Sequence, residues 1–376
     1  MKYRINTPYL TNLEKKYLND VIASKWISVD GKYSKIFEKK FGNLINKKFN
    51  LLVQSGTSAL HLALKALNVK PKDKIIVPNF TCSANINSVA QCNATALVVE
   101  IEKDTLGLDF DLVKKAILKY KPKILQLVHV YGFPARDTFK IINLCKKKKI
   151  IVIEDASEAL GAKYKNIPVG SFGDISIFSL RSEKMIGVGE GAIISTNNSK
   201  IFNNINLLAS RNMPYRGKKH PYWKKYICLG EGYNYQMPHA LAAIGVSQLK
   251  KFNYIKKKKI KIGKAYRKIF KNYNFAQKIN NYSKPVFWLN GIIFKNLTTS
   301  KVRSLGNYLM KNKIEVRSGF YPSSRIRGVK KLFIKKNNYS SLLFEKLLIL
   351  PSNIDLGLKE IKFIKSKVDQ FLYNNK

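Results

Sequence analysis

Leu51-Leu52-Val53-Gln54-Ser55-Gly56-Thr57-Ser58-Ala59-Leu60 sets the architecture. An apolar run meets a Gly-containing turn and opens an apolar helical stretch over 59–67, which reads as strand, turn, helix. The same kind of unit continues outward. Short apolar runs at 74–77, 96–99, 124–128, 150–153 and 175–178 are bounded by polar or turn residues, with helical stretches between them. That alternation predicts an α/β fold with a mostly parallel sheet covered by helices on both faces. Ligands of such sheets sit beyond the carboxyl ends of the strands, so the motifs just after these runs are the ones to inspect. From Pro238 to about residue 269 the pattern is helical and increasingly basic, which predicts a long connector. Short segments with turn signals follow, ending in an amphipathic stretch at 358–372. The expected organisation is a large domain over 1–250 and a connector helix with a smaller C-terminal α/β domain over 251–376.

The 376 residues, 45% of them hydrophobic, suffice for two packed cores. Lys and Arg number 69 against 23 Asp and Glu, a formal charge of +46. Such a balance can mark a nucleic-acid or membrane-surface binder. Here the excess is spread along the chain, and runs such as Lys146 to Lys149 and Lys256 to Lys259 read as solvated helix surface. Neither a nucleic acid nor a membrane is expected as partner, although the summed field would draw in anionic substrates. No run approaches the ~20 apolar residues of a membrane-spanning helix, and the start, MKYRINTPYLTNLEKK, lacks an apolar signal core. A cytoplasmic location is expected. Cys82, Cys92, Cys145 and Cys228 stand far apart without a CxxC pair, so no metal site is expected.

Three motifs carry chemistry. The turn Ser55-Gly56-Thr57-Ser58 brings backbone N–H groups and the positive end of a helix dipole to one point, which suits a phosphate, though Ser and Thr also cap ordinary helices. The stretch Ile151-Val152-Ile153-Glu154-Asp155-Ala156-Ser157-Glu158 puts two carboxylates at a strand end, where burial penalises them without a partner. An Asp there either caps a helix or accepts from a protonated pyridine nitrogen. The third block runs from Gly170-Ser171-Phe172-Gly173-Asp174 through Ser179 and Lys184 to Gly187-Val188-Gly189-Glu190-Gly191. A lysine between a strand end and a Gly-rich turn is shielded, the setting of a nucleophilic amine. Ser179 is placed to donate to the same phosphate as the SGT turn. His129 reads as a satisfied structural histidine and Trp26 as core packing.

With SGTSAL, EDASEALGA, GSFGDISIFS and KMIGVGEGA in this order, the chain resembles the DegT/StrS-type sugar-nucleotide aminotransferases, a fold-type-I group that uses pyridoxal phosphate. Further blocks match at Trp26-Ile27-Ser28, Val77-Pro78-Asn79-Phe80-Thr81, Val128-His129-Val130-Tyr131-Gly132 and Gly232-Tyr233-Asn234-Tyr235. The resemblance implies that Lys184 holds the cofactor covalently and that Asp155 pairs with the pyridine nitrogen. It also implies that Gly56, Thr57 and Ser179 hold the phosphate, with Glu158 on the 3′-hydroxyl side of the ring. Asn234 would reach the phosphate of the neighbouring subunit, which requires a homodimer with shared active sites.

Glu158 in place of the family's frequent Gln looks like the enzymes that aminate C4 of 6-deoxy-4-keto sugars, perosamine synthases among them. The implied substrates are glutamate and a nucleotide-linked keto-sugar, with Trp26, Ser28 and Tyr321 as sugar contacts and surface-glycan synthesis as the setting. Two departures stand out. Cys82 replaces the usual aromatic stacked on the cofactor, and Phe320-Tyr321-Pro322-Ser323-Ser324 lacks the family's His. Rival readings are a 3-keto-sugar aminotransferase, a dehydratase, and a basic nucleic-acid-binding protein on the same fold. The dehydratases carry His at the position of Lys184, and their iron–sulfur type needs clustered cysteines.

Overall fold

Eight strands form the central sheet of the computed structural model, which describes residues 1–215 and 220–375. Their spatial order is Phe49–Val53, Ala192–Thr196, Ile175–Ser179, Ile151–Asp155, Ile124–Val128, Lys74–Pro78, Thr95–Val99 and Lys331–Ile334. The six expected strands are present within two residues of their expected bounds. All pairings are parallel except those of Ala192–Thr196, which runs antiparallel between its two neighbours.

The alternating pleat explains how nearly continuous apolar runs serve both faces. Ile75, Val77, Ala96 and Val98 pack into the cluster under helices Gly56–Ala66 and Ser83–Gln91. Ile76, Leu97, Val99, Leu125 and Leu127 point the other way, toward helices Phe110–Tyr120 and Thr138–Lys147.

Residues 331–334, assigned above to the smaller domain, add the last strand of the large sheet, in register with 96–99. A separate hydrophobic cluster forms around the three-stranded sheet of Asn290–Ile293, Leu347–Leu350 and Arg317–Ser318. Helices Thr299–Lys311 and Leu358–Asn374 cover it, and Ile262, Tyr266 and Phe270 reach into it from the long helix His239–Ile269 and its C-cap. This helix follows the expected connector. Its N-terminal half lies against helix Lys32–Ile45 so closely that a Cβ on Gly245 would stand 2.1 Å from Phe37 Cε1.

Glu38, on helix Lys32–Ile45, accepts from Leu52 N at 3.0 Å and has burial pushing its carboxyl up to about 7. A folded pKa above the unfolded value near 4.5 means that stability is lost as pH rises through that window. Glu38→Gln keeps the acceptor and removes the buried charge. It is expected to stabilise the protein at pH 8 by about 1–3 kcal/mol, with a smaller gain at pH 5. Urea midpoints at the two pH values check this, and destabilisation at both would refute it.

Candidate active site

A cleft of about 340 Å³ lies at the carboxyl ends of the sheet strands. One wall is the start of helix Gly56–Ala66. Ser55 has extended backbone at the N-cap, and its Oγ accepts from Ser58 N at 3.1 Å. The first helical N–H groups, at Gly56 and Thr57, have no carbonyl partner within the helix, and both residues line the cleft, which leaves these groups available as anion donors. Ser179 closes this cradle from the end of its strand. A Cβ on Gly56 would lie 3.5 Å from Ser179 Cβ and 3.8 Å from its Oγ, so helix start and serine stand face to face.

Asp155 and Glu154 follow each other on one strand, and the pleat sends them to opposite sides. Glu154 is fully buried. It receives Gly170 N, Phe172 N and Gly173 N and lies 3.1 Å from His129 Nε2. Burial pushes its carboxyl up, but the His129 contact and these N–H donors outweigh that and hold it below the usual range. His129 Nδ1 accepts from Ala135 N at 2.9 Å, which leaves the ring hydrogen on Nε2 for Glu154. The pair is structural, as expected of His129; it pins the turn after one strand to the Gly170–Gly173 loop.

Asp155 instead faces the cleft. Its Oδ1 accepts from Ser157 N at 3.0 Å and its Oδ2 from Asn85 Nδ2 at 3.0 Å. Asn85 is itself aimed by Thr81 Oγ1, 2.7 Å from its Oδ1. Two neutral donors thus orient the carboxylate without neutralising it. It remains free to accept from a cationic ring nitrogen.

Lys184 sits in a tight turn whose ends are tied by Leu180 N to Gly191 O, Val188 N to Leu180 O and Ser182 N to Gly189 O. Gly189 has φ +106°, a conformation an L side chain rarely adopts, which accounts for one glycine of this block. Lys184 Nζ lies 3.2 Å from Glu158 Oε1 and 3.8 Å from the centroid of the Trp288 ring, an ion pair and a cation–π contact in one position. Glu158 Oε2 accepts from Tyr131 N at 3.0 Å. Burial raises the Glu158 carboxyl, and Lys184 with the Tyr131 N–H opposes it only in part.

Gly56, Thr57, Cys82, Asp155, Glu158, Ser179 and Lys184 therefore line one cleft. Cys82 presents a thiol there that burial pushes up. Together they offer a phosphate cradle, an acceptor for a protonated ring nitrogen and a primary amine. This donor set fits a phosphorylated pyridine aldehyde.

Four other expected contacts lie outside this chain's own cleft lining. Trp26 is 54% exposed and donates Nε1 to Val29 O at 2.8 Å, so core packing does not describe it. Ser28 and Asn234 are exposed. Tyr321 is also exposed and packs on Phe344, whereas its neighbour Phe320 lines the cleft.

Sequence reading missed Asn85, Trp288 and Phe320 as site residues. No local motif marks Asn85 or Trp288, whereas Phe320 stands in the segment compared for its missing His; Tyr131, in an expected block, has φ +53°. Arg317 also borders the cleft, paired with Glu183 at 2.7 Å, and Arg181 pairs with Glu190 at 3.2 Å.

The DegT/DnrJ/EryC1/StrS aminotransferase family matches residues 8–369. A GDP-perosamine synthase of Escherichia coli O157:H7 is 33% identical over 100% of both chains. One from Vibrio cholerae is 36% identical over 89% of this chain and 90% of its own. Among solved structures, the aminotransferase TlmJ from Streptoalloteichus hindustanus superposes with a TM-score of 0.90 at 18% identity, covering 100% of both chains.

Proposed function

The chain belongs to the DegT/DnrJ/EryC1/StrS aminotransferase family, and on that premise we propose that it uses pyridoxal phosphate to move an amino group from glutamate to C4 of a nucleotide-linked 4-keto-6-deoxy sugar. The observation that carries this reading is the convergence of Lys184, Asp155 and the Gly56–Ser179 cradle on one cleft. When bound, the cofactor supplies an electron sink conjugated to the carbon that exchanges a proton.

The residues have distinct tasks. Gly56 N, Thr57 N and Ser179 Oγ would hold the phosphate, and Asp155 would keep a proton on the ring nitrogen. With the cofactor bound, Lys184 would anchor it between turnovers, and its Nζ would move a proton off the donor carbon and onto the cofactor in the first half-reaction and from the cofactor to the sugar carbon in the second. Glu158, beside Nζ, steadies the ammonium while it carries that proton. Tyr131, Trp288 and Phe320 wall the cleft with aromatic surface and limit water. Ping-pong kinetics follow from the two half-reactions.

Residues 1–250 supply the cofactor contacts and 251–376 supply Trp288, Arg317 and Phe320. The enzyme works as a homodimer in which the exposed Asn234 reaches the partner's phosphate site, with Trp26, Ser28 and Tyr321 on the sugar side. It acts in the cytoplasm on the precursor of a surface glycan such as O-antigen. No helix among the described residues is long and apolar enough to cross a membrane.

The relatives named GDP-perosamine synthase support a GDP-linked substrate, and Glu158 supports a 4-keto sugar; a UDP-linked 4-keto sugar is the second candidate. Incubation with glutamate and a panel of GDP-, UDP- and dTDP-4-keto-6-deoxy sugars, followed by mass, tests this. The GDP sugar is expected to be aminated fastest. Acceptance of 3-keto sugars alone would overturn the C4 assignment.

A further inference from the structure

Lys259, on the long helix His239–Ile269, is 1% exposed, and its side chain is among the largest that are fully buried. Its three N–H bonds go to three neutral oxygens: Asn6 Oδ1 at 2.9 Å, Ser352 O at 2.6 Å and Trp288 O at 3.2 Å. An ammonium buried on neutral partners is a costly arrangement, and burial pushes it down to about 7. A methionine would fill the same space without that penalty.

Two of its partners point onward to the same atom. Asn6 Nδ2 donates to Glu183 O at 2.5 Å, and Trp288 Nε1 donates to Glu183 O at 2.7 Å. Glu183 is the residue before Lys184, and the Trp288 ring is the surface on which Lys184 Nζ rests. The third partner, Ser352, is tied through its Oγ to Asn290 N at 3.2 Å, two residues beyond Trp288. One buried cation thus gathers the N-terminal segment, the loop at 288–290 and the C-terminal segment; the first two meet on the carbonyl next to the catalytic amine, and the third braces the loop that carries Trp288.

We propose that Lys259 is a positioning residue for the amino-transfer reaction, holding the Lys184 peptide and the Trp288 ring in register through Asn6, Trp288 and Ser352. The proposal rests on the pyridoxal-phosphate reading above. Asn6, which lies outside the cofactor cleft, belongs to the same device.

The test uses holoenzyme and two variants, Lys259→Met and Asn6→Ala. The first removes the cation. The second leaves Lys259 in place and cuts one of its two routes to Glu183 O. Three quantities are read: the pH midpoint of the bound cofactor's visible absorption, kcat and KM in the glutamate half-reaction, and Tm.

Both variants are expected to move the midpoint by about half a pH unit or more. In both, kcat should fall about tenfold while KM stays within about threefold. Folded variants that lose Tm but keep midpoint and kcat would overturn the proposal and leave Lys259 a purely structural residue. If Lys259→Met does not fold, Asn6→Ala decides alone: a shifted midpoint supports the proposal, an unchanged one overturns it. A wild-type protein that bound no pyridoxal phosphate would refute the function, a result separate from either variant's.

Discussion

Lys184→Ala is expected to yield a folded protein without the visible absorption of bound cofactor and with no measurable turnover. The side chain does two jobs that no neighbour can take over. It is the cleft's primary amine, and its Nζ stands where a proton must be picked up and set down. Glu158 cannot replace it, because a carboxyl holds its proton on a different atom and forms no comparable covalent link. Loss of general acid–base catalysis alone removes a factor of roughly 10²–10⁴, and loss of the anchor adds to that.

The substitution also leaves Glu158 buried without its cation. A stability loss of about 1–3 kcal/mol should accompany the inactivity. Absorbance spectra with added pyridoxal phosphate and single-turnover assays with glutamate check the first claim, and urea unfolding checks the second. Normal turnover in this variant would eliminate the proposed mechanism.

Asp155→Asn is the sharper probe, because it should spare the fold while crippling the chemistry. An Asn can still accept from Ser157 N through one oxygen. Its new amide would meet the Asn85 amide, which can flip, since Thr81 Oγ1 serves as donor or acceptor equally well. Unfolding free energy should therefore change by less than about 1.5 kcal/mol. What disappears is the anion opposite the ring nitrogen, and with it the protonated ring that draws electrons from the reacting carbon. A fall in kcat of roughly 10²–10⁴ is expected, with cofactor still bound through Lys184 and the phosphate cradle. Undiminished activity would remove Asp155 from its role.

Much of this site was legible because its parts are local. A strand, a turn and a helix start within residues 49–57 create backbone donors whatever surrounds them, and a lysine flanked by Ser179 and a Gly-rich turn is distinctive even in a chain with 69 basic residues. The strand Ala192–Thr196 lies outside the six expected runs and takes its place only through antiparallel pairing with Phe49–Val53 and Ile175–Ser179. The adjacent carboxylates 154 and 155 were recognised together, yet which one serves the cofactor depends on the face each side chain takes. Trp26 shows the converse error. An aromatic residue suggests core, but its indole lies on the surface with a single backbone partner.

The sequence by itself determined the α/β architecture and offered the SGT turn, Lys184 and the carboxylates at 154 and 155 as candidate chemistry, with the family resemblance selecting Asp155, since periodicity, turn residues and strand ends act over a few positions. Only the tertiary structure decided what surrounds that chemistry. Asn85 meets Asp155 across 70 positions of chain, Trp288 meets Glu183 across 105, and Lys259 meets Asn6 across 253. No local rule encodes such meetings. They arise when burial strips water from a polar group and leaves it only the partners that the packed fold brings within reach.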